Sequence, residues 1–302
     1  MAMMTLPDGR QYNLTQSEDC VKFLEWAPDV ISRNIFNLQA MDRQPIAQNV
    51  QTFTILGSLG AHLPAEQRSS VATSEKLVLV QLLKRWCLGP PRSADWRRTG
   101  VLPADVQEMF DCVIGWTQDK EFCQLLLHGG SESPLGACAR LCKSCPTPGA
   151  AFVESIMYIA HNALVNTAGA KAMDATGLLC ELFRTAAQAA CSGAQDGEKV
   201  AAPALGVIKL VQQDPKFVRK QLNKESSAAV ALADALAAID QHRRKQKRAT
   251  PPESARAKLA TALGQLSAQA TYSRGRTTPG AGNLHLQLCR GKFTHLSYKG
   301  LG

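Results

Sequence analysis

The chain has 302 residues, 45% hydrophobic and 20% charged, a balance that can bury a substantial core and excludes a disordered chain. No apolar run reaches the roughly 18 residues of a membrane span, so a membrane-spanning helix is not expected. The net charge of +9 is uneven: from Arg243 onward twelve Lys or Arg face the single acid Glu253, giving +11, while the preceding 242 residues carry −2. A nearly neutral body therefore carries a strongly basic end.

The first residues have neither the charged-then-apolar order of a secretory signal nor the acid-poor character of a transit peptide, given Asp8, Glu18 and Asp19. Cytoplasmic or nuclear residence is the expectation. Ten cysteines fall mostly on apolar helix faces and read as reduced thiols that pack like small hydrophobes.

In chain order, residues 1–16 read as loose, with a turn at Pro7-Asp8-Gly9. Ser17 reads as the N-cap of a helix carrying Val21, Phe23, Leu24 and Trp26, and Pro28 is expected to end it or to open the next. Val30, Ile31, Ile35, Phe36 and Leu38 continue at helical spacing. Gly89–Pro103, with three prolines and Arg92, Arg97 and Arg98, reads as a basic loop.

The central stretch from Cys112 to Cys142 predicts three helices with two tight corners. Val113, Ile114 and Trp116 end the first, TQDK breaks it, and Phe122, Leu125 and Leu126 carry the second. Gly129-Gly130 stops the second helix and Pro134 opens the third, with Leu135, Cys138 and Leu141 on its apolar face. Turn-rich links are expected at Lys143–Ala150 and between Cys191 and Pro203. After Ile239 come a basic run, a proline pair and an alanine-rich helix from about Glu253 to Ala270. The final segment alternates like two strands in HLQLC and FTHLSY.

The three-helix phrase recurs at Thr54–Trp86, Asn162–Phe183 and Val207–Ile239. With Leu59, Trp116, Leu164 and Leu210 as equivalent anchors the intervals are 57, 48 and 46 residues, the first lengthened by the proline-rich insert. This period is near the roughly 40–47 residues of armadillo and HEAT units. On these segments the chain resembles the armadillo-repeat family over about residues 50–240. The resemblance implies an all-α, armadillo-like α-solenoid, here with a basic, partly irregular C-terminal tail. It divides the chain into N-terminal capping helices (1–49), repeats (50–240) and a basic C-terminal helix and tail (241–302).

Armadillo grooves for extended peptides resemble one another in a Trp and an Asn one turn apart on the third helix. This chain has no such pair in register, since Asn162 and Asn166 have the spacing without the Trp. That departure argues against an import-type groove.

Cys138, Cys142 and Cys145 have the C-x3-C-x2-C spacing of iron–sulfur ligands in radical enzymes that use S-adenosylmethionine, with Cys123 or His128 available as a fourth ligand. Their helical setting, and the lack of alternating strands and helices, favour free thiols over a metal-dependent enzyme. Gly129-Gly130-Ser131-Glu132 lacks the lysine of a phosphate loop, and His128, His161 and Asp174 lack a nucleophile elbow to serve. The sequence therefore predicts a protein without catalytic, cofactor or metal residues. It predicts partner binding at Arg243, Arg244, Lys245, Lys247 and Arg248, extended by Arg274, Arg276, Arg290 and Lys292. The expected function is a scaffold or adaptor that binds a protein partner and sets its basic tail on an acidic surface, with nucleic-acid association as the alternative.

Overall fold

A computed structural model describes residues 3–5, 11–13, 17–38, 45–88, 103–144, 150–167, 169–191, 194–222, 226–245 and 253–275. Within them the protein is helical apart from a short hairpin of β1 (Met3–Thr5) and β2 (Gln11–Asn13), antiparallel with Met4 opposite Tyr12. The turn expected at Pro7-Asp8-Gly9 lies outside the described residues.

α1 (Ser17–Leu38) runs straight through Pro28, contrary to the expected break. A proline inside a helix costs about 3 kcal/mol. Burial of Val30, Ile31, Ile35 and Leu38 on one continuous face returns roughly 1.5–3 kcal/mol for each, so the longer helix wins. Phe36, expected among that apolar set, instead faces outward at 70% exposure.

Four helix triplets follow. The first is α2 (Ile46–His62), α3 (Ala65–Ser70) and α4 (Thr73–Leu88). The second is α5 (Ala104–Trp116), α6 (Lys120–Leu127) and α7 (Pro134–Ser144). The third is α8 (Ala150–Asn166), α9 (Ala170–Ala175) and α10 (Leu178–Cys191). The fourth is α11 (Ala194–Gln212), α12 (Pro215–Lys220) and α13 (Ser227–Lys245). A last helix, α14 (Ala255–Gly275), follows alone.

Local chemistry sets these boundaries. Pro45, Pro64 and Pro103 stand just before α2, α3 and α5, where a missing N–H costs nothing. Asp119 caps α6 by accepting the Phe122 N–H at 2.7 Å, and Asp214 caps α12 through the Phe217 N–H at 2.9 Å. Both phenylalanines are buried, so one Asp-x-x-Phe device seats the short helix in two units. Gly129 and Gly130 take φ of 98° and 58° at the corner after α6, as the glycine pair predicted. The link expected between Cys191 and Pro203 is mostly helix: α11 begins at Ala194 and carries Pro203 inside it, because Val200, Ala201, Ala204 and Val207 bury one face through the proline.

Equivalent helices pack on one another from unit to unit. α2, α5, α8, α11 and α14 form one layer in which each touches the next, and α4, α7, α10 and α13 form the other. The anchors Leu59, Trp116, Leu164 and Leu210 all fall in the last turn of the first helix of their units. Hydrogen bonds between units repeat the period. Asn162 to Thr117 spans 45 residues, Gln107 to Ser155 spans 48, Cys191 to Ala238 spans 47 and Gln212 to Ala262 spans 50. Across the first joint the separations range from 45 for Lys76 to Glu121 up to 60 for Trp116 to Leu56.

That first joint is also the tightest. A Cβ on Gly115 would sit 2.4 Å from the Gly57 carbonyl oxygen, so only glycine permits α5 to lie this close to α2. Trp116, wholly buried, donates its indole N–H to the Leu56 carbonyl at 2.9 Å.

The corner between α5 and α6 joins three units. Lys76 of α4 is fully buried, with Nζ 3.2 Å from Asp119 and 2.7 Å from Glu121. Thr117 receives Asn162 Nδ2 on its hydroxyl and Asn166 Nδ2 on its carbonyl, both at 2.8 Å. Cys123 donates to the same carbonyl at 3.0 Å. Asn162 and Asn166 therefore lie on a first helix, committed to this joint, and do not line a third-helix groove.

The expected division near residue 240 falls inside the packed structure. α13 continues to Lys245, and α14 packs on α11, α10, α12 and α13 with Leu259, Leu263 and Leu266 completely buried. α14 takes the place a fifth unit's first helix would take and covers the apolar face of α11.

Two outcomes follow. Leu126→Ala and Leu141→Ala, each emptying a buried site in the second unit, should lower unfolding free energy by roughly 2–5 kcal/mol in urea titrations. Asp119→Ala should cost about 3–5 kcal/mol, because it removes the α6 cap and strips a buried ammonium of one carboxylate, whereas Asp119→Asn keeps the cap and should cost less. Glu121 titrates below the usual carboxylate range through its hydrogen bonds to Lys76 and Thr73. Its contribution is present above the unfolded carboxylate pKa and is lost as pH falls through the lowered folded value, so the joint weakens in acid.

Candidate functional site

Of the cations singled out in the sequence, Arg243, Arg244 and Lys245 form the exposed last turn of α13. There they complement the partial negative charge of the helix end. Arg244 is held by Asp240 at 2.7 Å, one turn back on the same helix. Arg274 lies in the last turn of α14. Lys247, Arg248, Arg276, Arg290 and Lys292 lie outside the described residues, as do the basic insert loop and the alternating C-terminal segments.

Beside that turn is a cleft of about 510 Å³ between α10 and α13. Ala187, Ala235 and Ala238 give it a shallow apolar floor, with Gln188, Cys191 and Gln241 along it. Arg184 rims one side and His242 and Lys245 the other, with Asp234 the acid among the lining residues. Cys191 ends α10 beside the Ala238 carbonyl, 4.0 Å away, and the nearby Arg243 charge opposes the rise that burial imposes on its thiol pKa. Arg184 is bridged to Glu181 at 2.6 Å on its own helix.

Of the cations singled out in the sequence only Lys245 lines this cleft, and its α10 side was not foreseen. The signal was present in the period: one repeat length carried forward from Cys191 reaches Ala238, so third-helix residues of neighbouring units pair off at this spacing. A smaller hollow of about 230 Å³ opens between α11 and α14, lined by Leu205, Lys209, Lys258 and Gln265 among others. Acidic charge collects elsewhere, on α5 and α8. There Asp111 is raised above the usual carboxylate range chiefly by burial, with Glu108 and Glu154 adding to the rise.

Cys138 is buried on α7 with its Sγ 3.7 Å from Cys87 of α4, a contact that together with burial raises its thiol well above the ordinary value. Cys142 is half-buried, and Cys145 lies outside the described residues. Among the described residues no group of three His, Cys, Asp or Glu side chains is arranged to hold a metal ion. His128 closes α6, and His161 sits 3.1 Å from Asn162 of its own helix. Asp174 lies on α9 with its carboxyl raised by burial. No described helix is long and apolar enough to cross a membrane. Comparison of the chain with protein-family models, with curated proteins and with solved structures finds no match.

Thiol chemistry checks this packing. Burial pushes Cys123 up to about 12 and raises Cys112 further, so at pH 8 both are protonated as well as covered. Maleimide labelling of the native protein, mapped by mass spectrometry, should reach Cys191 and Cys180 before Cys87, Cys112, Cys123 and Cys138. Early modification of Cys138 would contradict the α4–α7 contact.

Proposed function

We propose that the chain is an armadillo-like α-solenoid that works as a non-enzymatic scaffold or adaptor in a larger assembly. The observation that supports this reading is the regular offset between units. Each unit leaves a face that only the next can cover, and stacking such units presents a row of third helices as one extended surface. A surface of this kind holds a partner over many weak contacts and needs no reactive centre. The basic end adds an electrostatic anchor, with Arg243, Arg244 and Lys245 beginning it and Lys247, Arg248, Arg274, Arg276, Arg290 and Lys292 extending it along the sequence.

The +11 of the C-terminal end favours a second reading, in which these cations bind nucleic acid phosphates. Salt dependence separates the two. If phosphates are the target, binding of the full chain to duplex DNA should fall log-linearly with salt, with a slope of roughly −0.9 per phosphate neutralised. On the scaffold reading, duplex binding does not survive physiological salt. A chain ending at Gly275 should melt cooperatively near the full-length midpoint and, losing Arg276, Arg290 and Lys292 while keeping Arg243, Arg244, Lys245, Lys247, Arg248 and Arg274, should anchor more weakly without losing the anchor. A chain ending at Gln241 should melt earlier, because α11 is then uncovered.

A further inference from the structure

We infer that the cleft between α10 and α13 docks an acidic amphipathic segment of a partner protein. The inference rests on the scaffold reading and names the chemistry of the partner. At about 510 Å³ the cleft lies within the roughly 300–1,000 Å³ of ordinary ligand sites, and its floor of Ala187, Ala235 and Ala238 asks for an apolar ridge on whatever enters. The small floor residues hold the surface low, so the larger side chains must come from the partner.

The rim supplies the second half of the match. Arg184, His242 and Lys245 line the cleft, and Arg243 and Arg244 stand in the same exposed turn as Lys245. Two helix C-termini need about one positive charge between them, at roughly half a charge each. Arg243, Arg244 and Lys245 in the last turn of α13 exceed that about threefold. The local bridges Arg184–Glu181 and Arg244–Asp240 are exposed pairs of the kind worth about 0–1 kcal/mol, so a partner's carboxylates can replace them at little cost. Carboxylates on a peptide fit this layout better than a phosphate ladder. Arg184 stands on one side and Lys245 on the other, Asp234 lies in the cleft and Glu181 beside it, and the lining holds no Phe, Tyr or Trp on which a base could stack.

Fluorescence anisotropy on the full chain tests the inference with two labelled helical peptides, both with leucine at helical i, i+3, i+4 spacing, one filled out with glutamate and the other with lysine. The glutamate peptide should bind and the lysine peptide should not. Ala238→Trp, which fills the floor from an exposed position, should weaken binding about tenfold, and so should Arg184→Glu combined with Lys245→Glu. Lys199→Glu with Lys209→Glu makes the same charge change on exposed positions of α11 and should leave affinity within about twofold. Circular dichroism confirms that each variant is folded. An equal loss in the α11 pair, or no effect of Ala238→Trp, overturns the cleft while leaving the scaffold reading intact. Equal binding of the lysine peptide also overturns the cleft. Failure of both peptides alongside salt-sensitive binding of duplex DNA overturns the cleft and the scaffold reading together.

Discussion

The buried contact between Lys76 and Asp119 is the constraint on which the rest of the arrangement depends. An ammonium with no exposed surface is tolerable only if its charge and its protons are met on the spot, and here two carboxylates of the next unit meet them. Asp119 also caps α6, so one side chain fixes where the short helix begins and where α4 must lie against it. Thr117, two residues earlier, is held from the other side by Asn162 and Asn166. The corner after α5 thus ties together the first three helix triplets through polar bonds centred on the buried Lys76, Thr117 and Asp119.

The apolar core can be rearranged more freely than this corner. Leucine, alanine and valine faces tolerate sliding, because hydrophobic contact is nondirectional. The hydrogen bonds at Thr117 and Asp119 do not tolerate it: a shift of one residue would leave a buried lysine and two half-buried asparagines facing the wrong groups. Burial therefore supplies most of the stabilisation, and the corner specifies the register. The Gly57–Gly115 approach works alongside it by setting how near α5 comes to α2.

Much of the helical architecture was legible because it rests on local chemistry. The glycine pair at 129 and 130, the proline at 134 and the leucines of α6 and α7 each announce a boundary or a face by residue type and spacing alone. The failures share one cause, which is burial decided by a neighbour a full period away. Pro28 and Pro203 are strong local stop signals, overridden by continuous apolar faces packed on other helices. TQDK read only as a polar break, yet Thr117 and Asp119 are among the most buried polar residues described. Lys76 has nothing in its own helix to distinguish it from a surface lysine. The α10 side of the cleft was hidden in the same way, since Arg184 and Ala187 gain their meaning only beside Asp234 and Ala238.

The constant spacing of bonds between neighbouring triplets bears on how the molecule is made. A nascent chain leaving the ribosome can close each joint once the next 45 to 60 residues have emerged, and it need not wait for distant sequence. At any moment the growing polypeptide shows the surroundings about one uncovered helix face. α14 is the last described helix to be synthesised, and until it arrives the side of α11 that receives Leu259, Leu263 and Leu266 is the open end of the stack. Translation arrested just before α14 would leave that side open to chaperones or to other nascent chains.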